Sequence, residues 1–241
     1  MPNKRTTDRF PAVPASHLPT VAGGAMLLWL LVEFAFRRGL APVLADRLGT
    51  GLGADMVSST LGISLAAVGI AWWGMQAGIT PADWDYTISR RTIGAGIVGV
   101  IGLYVLRGMA VAILTIGLGF NLADASSLSV GTAPVWALGA FLLVNGMLGP
   151  IAEELAWRGV IQTALSEAYG TYVAVGVTAV AFVLKHLIVD LSVSPFRTTA
   201  LVVLAFGLCG LRARYGTTSS TIAHVLMNSI ETLTVIIALS Q

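Results

Sequence analysis

The sequence predicts an all-α, polytopic transmembrane helical bundle of seven to eight membrane helices. Two observations carry this. Only 11% of the 241 residues are charged and 56% are hydrophobic, with a mean hydropathy of +0.83. A soluble domain carries roughly 25% charged residues, so this chain is too poor in charge to coat a globule. Apolar runs of about 20 residues, long enough to cross a bilayer as helices, recur along the chain. A third observation directs attention to one place. Glu153, Glu154 and Arg158 lie inside otherwise apolar sequence, and charges at such depth are costly enough to suggest function.

Other global features narrow the classes. The length suits one bundle, with a polar N-terminal tail over residues 1–20 and a single transmembrane bundle over residues 21–241. A net charge of +2 gives no basis for a nucleic-acid partner. Cys209 is the only cysteine, so no disulfide forms within the chain. The tail has no small-residue cleavage site after a short apolar core and reads as a cytosolic tail.

The first apolar run covers about residues 21–36 and ends in Glu33, Arg37 and Arg38, read as an interfacial Glu–Arg cluster. Residues 37–55 are mixed, with a short surface helix before Gly49, Gly51 and Gly53. Those glycines are not a phosphate loop, because no strand precedes them and no Lys-Ser/Thr follows. The second span covers residues 56–79, with Trp72 and Trp73 at its interfacial end. A polar connector follows. The third span, residues 92–120, carries Gly94, Gly96, Gly99 and Gly102, which let a neighbouring helix approach. Its Arg107 is expected to pair with a carboxylate in the bundle. After a polar loop, the fourth span runs over residues 134–148. Gly149-Pro150 is expected to break it, because proline lacks an amide hydrogen. A new helix starting at Pro150 would then place Glu153 and Glu154 near its positive end. The remaining spans are residues 171–189, 198–211 and the run after Gly216. A cytoplasmic N-terminus places Lys4, Arg5, Arg9, Arg90, Arg91, Arg212 and Arg214 inside. Arg37, Arg38, Arg47 and Arg197 fall outside, which accords with the positive-inside rule.

Three stretches carry candidate chemistry. Glu154 and Arg158 are an i,i+4 pair on one helix face and are expected to neutralise each other. Glu153 points about 100° away and is free to face a cavity and hold water. His186 lies one turn beyond Phe182, which would wall the site from lipid. Lys185 is expected to snorkel to the interface. His224 and Asn228 share a face four residues apart and can donate hydrogen bonds to a developing oxyanion. The bland alternatives are ion-pair registry for Glu154 and Arg158, packing for Phe182, and polar glue between helices for Asn228. Glu153, His186 and His224 would also serve as a zinc set, although HExxH is absent and nothing demands a metal. The favoured reading has no cofactor.

EELAWRG (Glu153 to Gly159), FVLKH (Phe182 to His186) and HVLMN (His224 to Asn228) match EExxxR, FxxxH and HxxxN in order. The chain thereby resembles the CAAX-protease and bacteriocin-processing (CPBP, or Abi) family of intramembrane endopeptidases, with a catalytic core over residues 132–240. The resemblance implies that Glu153 and His186 activate water and that His224 and Asn228 form the oxyanion site. It implies a protein or peptide substrate, of the kind prenylated at its C-terminus, and a setting in the lipid bilayer. Two features depart from the family pattern. Lys185 stands where a small or apolar residue is expected, and residues 217–223 contain no proline. The rivals are a non-catalytic adaptor or bacteriocin self-immunity protein, and a small transporter. Against the transporter stands the absence of internal repeats.

Overall fold

The computed structural model describes residues 15–121, 133–191 and 193–239, and all regular structure among them is helical. Among the described residues, seven helices are long and apolar enough to cross a membrane: α1 (Leu18–Leu48), α2 (Gly51–Gln76), α3 (Arg90–Gly117), α4 (Val135–Tyr169), α5 (Thr171–Asp190), α6 (Pro195–Tyr215) and α7 (Thr217–Ala238). This is the predicted all-α membrane bundle. Most of the tail and of the loop before residue 133 lie outside the described residues.

Local chemistry sets the helix ends. The Thr50 side chain caps α2 by accepting from the Gly53 amide. Ser89 and Thr92 form a reciprocal capping box at the start of α3, satisfying amides that have no partner within the helix. Single glycines with positive φ, Gly170 (+82°) and Gly216 (+91°), join α4 to α5 and α6 to α7. A side chain is disfavoured in that conformation. Residues 37–48 prove to be a continuation of α1, through a π-helical stretch at Ala35–Leu40, and not a separate surface element.

The main core lies where α1, α2, α4, α5 and α6 meet, around Trp29, Ile70, Trp157 and Phe182. A smaller cluster joins α3, α6 and α7 through Leu103, Leu208 and Met227. The outward face of α3 presents Ile97, Val98, Ile101 and Val105, as suits contact with lipid. Of the four α3 glycines, two permit close packing. A methyl at Gly96 would come within 2.8 Å of Ile222, and one at Gly99 within 2.7 Å of Leu211, whereas Gly94 and Gly102 have nothing within 4 Å. Arg107 does pair across the bundle, with Glu231 of α7.

The expected break at Gly149-Pro150 does not occur. Helix α4 is continuous, and a π-helical stretch at Val144–Leu148 precedes Pro150. The Gly149 amide reaches back to Val144 O. Pro150 has no amide hydrogen to offer Asn145 O in the π register or Gly146 O in the α register. Helix α7 supplies the missing donors: Asn228 Nδ2 donates to Asn145 O at 3.1 Å and Ser229 Oγ to Gly146 O at 3.0 Å. Glu153 and Glu154 consequently sit mid-helix, away from any helix start.

Candidate active site

Helix α4 presents Glu153 and Glu154 to different sets of partners that share His224. Glu154 is fully buried and meets Arg158 NH1 at 3.0 Å, as the i,i+4 spacing predicts. The guanidinium lies 4.4 Å from the Phe182 ring centroid, a cation–π contact that helps hold a charge withdrawn from water. A second partner of Glu154 was not foreseen: His224 Nδ1 lies 2.9 Å from its Oε1. The supposed structural carboxylate thus also orients a candidate catalytic imidazole. A second π-helical stretch of α4, Glu154–Ile161, carries both Glu154 and Arg158. Such stretches recur at functional sites.

Glu153 lies between two imidazoles. His186 Nε2 is 3.7 Å from its Oε1 and His224 Nε2 is 3.7 Å from its Oε2. Both gaps exceed hydrogen-bond length and are of the kind that a water can bridge. Phe182 is wholly buried between them, with its ring 4.6 Å from that of His186 and 6.2 Å from that of His224. The expected grouping of Glu153, His186 and His224 is therefore present, with Phe182 as its wall. Asn228 lies one turn beyond His224 on α7 and is held by Asn145 O.

The far nitrogens define the tautomers. His186 Nδ1 is 2.9 Å from Phe182 O. A carbonyl can only accept, so Nδ1 carries the hydrogen and the neutral ring offers Nε2 as an acceptor. His224 Nδ1 faces an ionised carboxylate and likewise carries a hydrogen. Its Nε2 can donate only when the ring is an imidazolium.

Two expectations require correction. Lys185 does not snorkel. It is 2% exposed, with Nζ 2.5 Å from Glu153 Oε1 and 3.0 Å from Glu33 Oε2. Buried carboxylates compensate its charge better than a stretched route to the interface would. Glu33 is not a simple interfacial residue either. It is 5% exposed and accepts from Trp29 Nε1 at 2.6 Å, while Arg37 stands 3.5 Å away. Glu153 is therefore not a free carboxylate: one of its oxygens is already engaged.

Among the described residues no group of three or more His, Cys, Asp or Glu side chains is placed to hold a metal ion. The Lys185 ammonium occupies the carboxylate that zinc would need, and like charges so close repel.

No curated protein and no solved structure matches the chain. Residues 134–230 match the family model described as Type II CAAX prenyl endopeptidase Rce1-like. That segment contains Glu153, Glu154, Arg158, Phe182, His186, His224 and Asn228 and leaves Trp29 and Glu33 outside. Over this segment the chain is similar to the CAAX prenyl endopeptidases that the model describes.

Proposed function

We propose that the protein is an intramembrane endopeptidase that hydrolyses a peptide bond of a protein or peptide substrate by glutamate-activated water. The observation that carries this is the Glu153 carboxylate lying 3.7 Å from each of two imidazole Nε2 atoms. Water held by Glu153 and by His186 Nε2 loses a proton to Glu153 as its oxygen bonds to the scissile carbonyl carbon. The resulting oxyanion accepts hydrogen bonds from His224 as imidazolium and from the second amide hydrogen of Asn228. Donors already in place cost no reorganisation at that moment. The tetrahedral intermediate then collapses. The C–N bond breaks, the proton on Glu153 passes to the leaving nitrogen, and carboxylate and amine products remain. The carboxylate of Glu154 supports the charge on His224, and Arg158 holds Glu154 in place.

The family resemblance supports a substrate with a prenylated CAAX terminus, and the charge asymmetry supports a cytoplasmic N-terminus. The test is cleavage of a farnesylated CAAX peptide by purified wild type and Glu153→Gln, with and without chelator. Cleavage by wild type alone, insensitive to chelator, is expected. Full activity in Glu153→Gln refutes the mechanism. Chelator-sensitive cleavage that zinc restores identifies a metalloprotease. A wild-type protein that binds the peptide without cleaving it supports the adaptor or self-immunity reading.

A further inference from the structure

The candidate site does not end at the segment that matches the family. Helix α1 lies behind it and reaches Glu153 through one side chain. Lys185 Nζ touches Glu153 Oε1 and Glu33 Oε2 at 2.5 and 3.0 Å. It also lies 5.4 Å from the Trp29 ring and 5.1 Å from the Phe182 ring. Trp29 in turn fixes Glu33 through its indole N–H. These contacts form an enclosed seat of two carboxylates and two ring faces around one ammonium.

Charge counting shows which carboxylate the ammonium serves. Glu33 has Arg37 at its other oxygen, at 3.5 Å, and Arg37 is itself 3.0 Å from Asp190. Glu33 therefore has a second cation. The charged and titratable groups facing Glu153 are Lys185 and His186 from α5, His224 from α7 and Glu33 from α1. On its own helix, Arg158 is committed to Glu154. His186 has only the neutral carbonyl of Phe182 behind its Nδ1, which gives a charged ring no counter-ion there. A buried carboxylate without a cation takes up a proton and ceases to be a base. His224, when charged, has Glu154 as its own counter-ion at 2.9 Å and stands 3.7 Å from Glu153, which leaves Lys185 as the cation in hydrogen-bond contact with Glu153.

We infer that Lys185, seated by Glu33 and Trp29 of α1, is the positioning residue that keeps Glu153 ionised and fixes its carboxylate between the two histidines. The inference rests on the proposed role of Glu153 as base and extends the site to α1. Lys185 acts through Glu153. It is enclosed by Trp29, Phe182 and Glu33, so it does not meet substrate.

The experiment combines kinetics on a farnesylated CAAX peptide with infrared spectroscopy of the same purified proteins. In Lys185→Met, kcat is expected to fall about 10²-fold, within the range contributed by a positioned general base, with KM changed less than about threefold. Lys185→Arg should recover most of that loss. The charge-swapped double variant Lys185→Glu/Glu33→Lys retains an ion pair between α1 and α5 and sets a carboxylate beside Glu153. It should fold and remain inactive, whereas a merely structural tie would be rescued. Independently of turnover, Lys185→Met at neutral pH should gain the C=O stretching band of a protonated carboxyl group, and the added Glu153→Gln change should remove it. Absence of the band, its loss with Glu33→Gln instead, or activity in the swapped variant overturns the inference. Failure of the base assignment is a separate outcome, recognised by a Glu153→Gln protein that still turns over.

Discussion

His186 and His224 present nearly the same geometry to Glu153 and differ in what lies behind them. Each has its Nε2 3.7 Å from a Glu153 oxygen, and each has its Nδ1 2.9 Å from an acceptor. Behind His186 the acceptor is the neutral carbonyl of Phe182, one turn back on its own helix. Behind His224 it is the carboxylate of Glu154, which also carries Arg158. A carbonyl fixes a tautomer, whereas a carboxylate also stabilises the charged ring. One imidazole is thereby suited to accept a hydrogen bond from water and the other to donate to an oxyanion. In the proposed mechanism, two histidines with similar first contacts take different roles because their second contacts differ.

The comparison can be broken first at Glu153, which both rings face. Glu153→Gln should abolish turnover, a loss of at least the ~10²–10⁴-fold of a general base. Thermal unfolding in detergent should show the protein still folded, because Lys185 keeps Glu33. Next comes the donor side. Asn228→Ala should lower kcat by about 10²–10³-fold, the range for losing one oxyanion donor, with KM little changed because the oxyanion forms late. Single-turnover kinetics measures this. A mild Asn228 phenotype combined with stoichiometric zinc by elemental analysis would replace the donor role with a metal.

Glu154→Ala tests the difference behind the rings. It removes the carboxylate behind His224 and strands a fully buried Arg158, a type of loss that costs about 3–5 kcal/mol. A large drop in melting temperature, together with lost activity, is expected. Glu154→Gln restores the volume and should recover part of the stability but little of the activity. If it recovers both, the carboxylate behind His224 has no electrostatic role. The smallest effect is expected at Ser229→Ala, which leaves Gly146 O without its donor at a cost of about 1–3 kcal/mol. Stability should fall and kcat per folded molecule should not.

The parts of the site legible in the sequence were those with local spacing. Glu154 with Arg158, Phe182 with His186, and His224 with Asn228 are each four residues apart, and a helix places such pairs on one face. The contacts that sequence reading missed join distant segments. Lys185 and Glu33 are 152 residues apart. Read locally, a lysine near a helix end suggests snorkelling and a glutamate beside arginines suggests an interface. Counting charge over all the apolar runs would have paired them, since Glu33, Glu153 and Lys185 each lacked an obvious partner. Pro150 misled for a similar reason. Its missing amide predicts a break, and nothing local reveals that Asn228 and Ser229 stand ready to satisfy the exposed carbonyls.

Those last two contacts also bear on biogenesis. Asn145 and Gly146 must wait for donors 83 residues downstream, on α7. Until that helix is synthesised and inserted, α4 carries two carbonyls that hydrocarbon cannot satisfy, each at a cost of several kcal/mol. Helix α4 can enter the membrane early but cannot settle into its final hydrogen-bonding pattern. Arrival of α7 supplies the donors in the same step that brings His224 to Glu153. A nascent chain stalled before α7 would lack both the donors for α4 and the imidazole of His224, so the order of synthesis keeps the proposed site unassembled until α7 arrives.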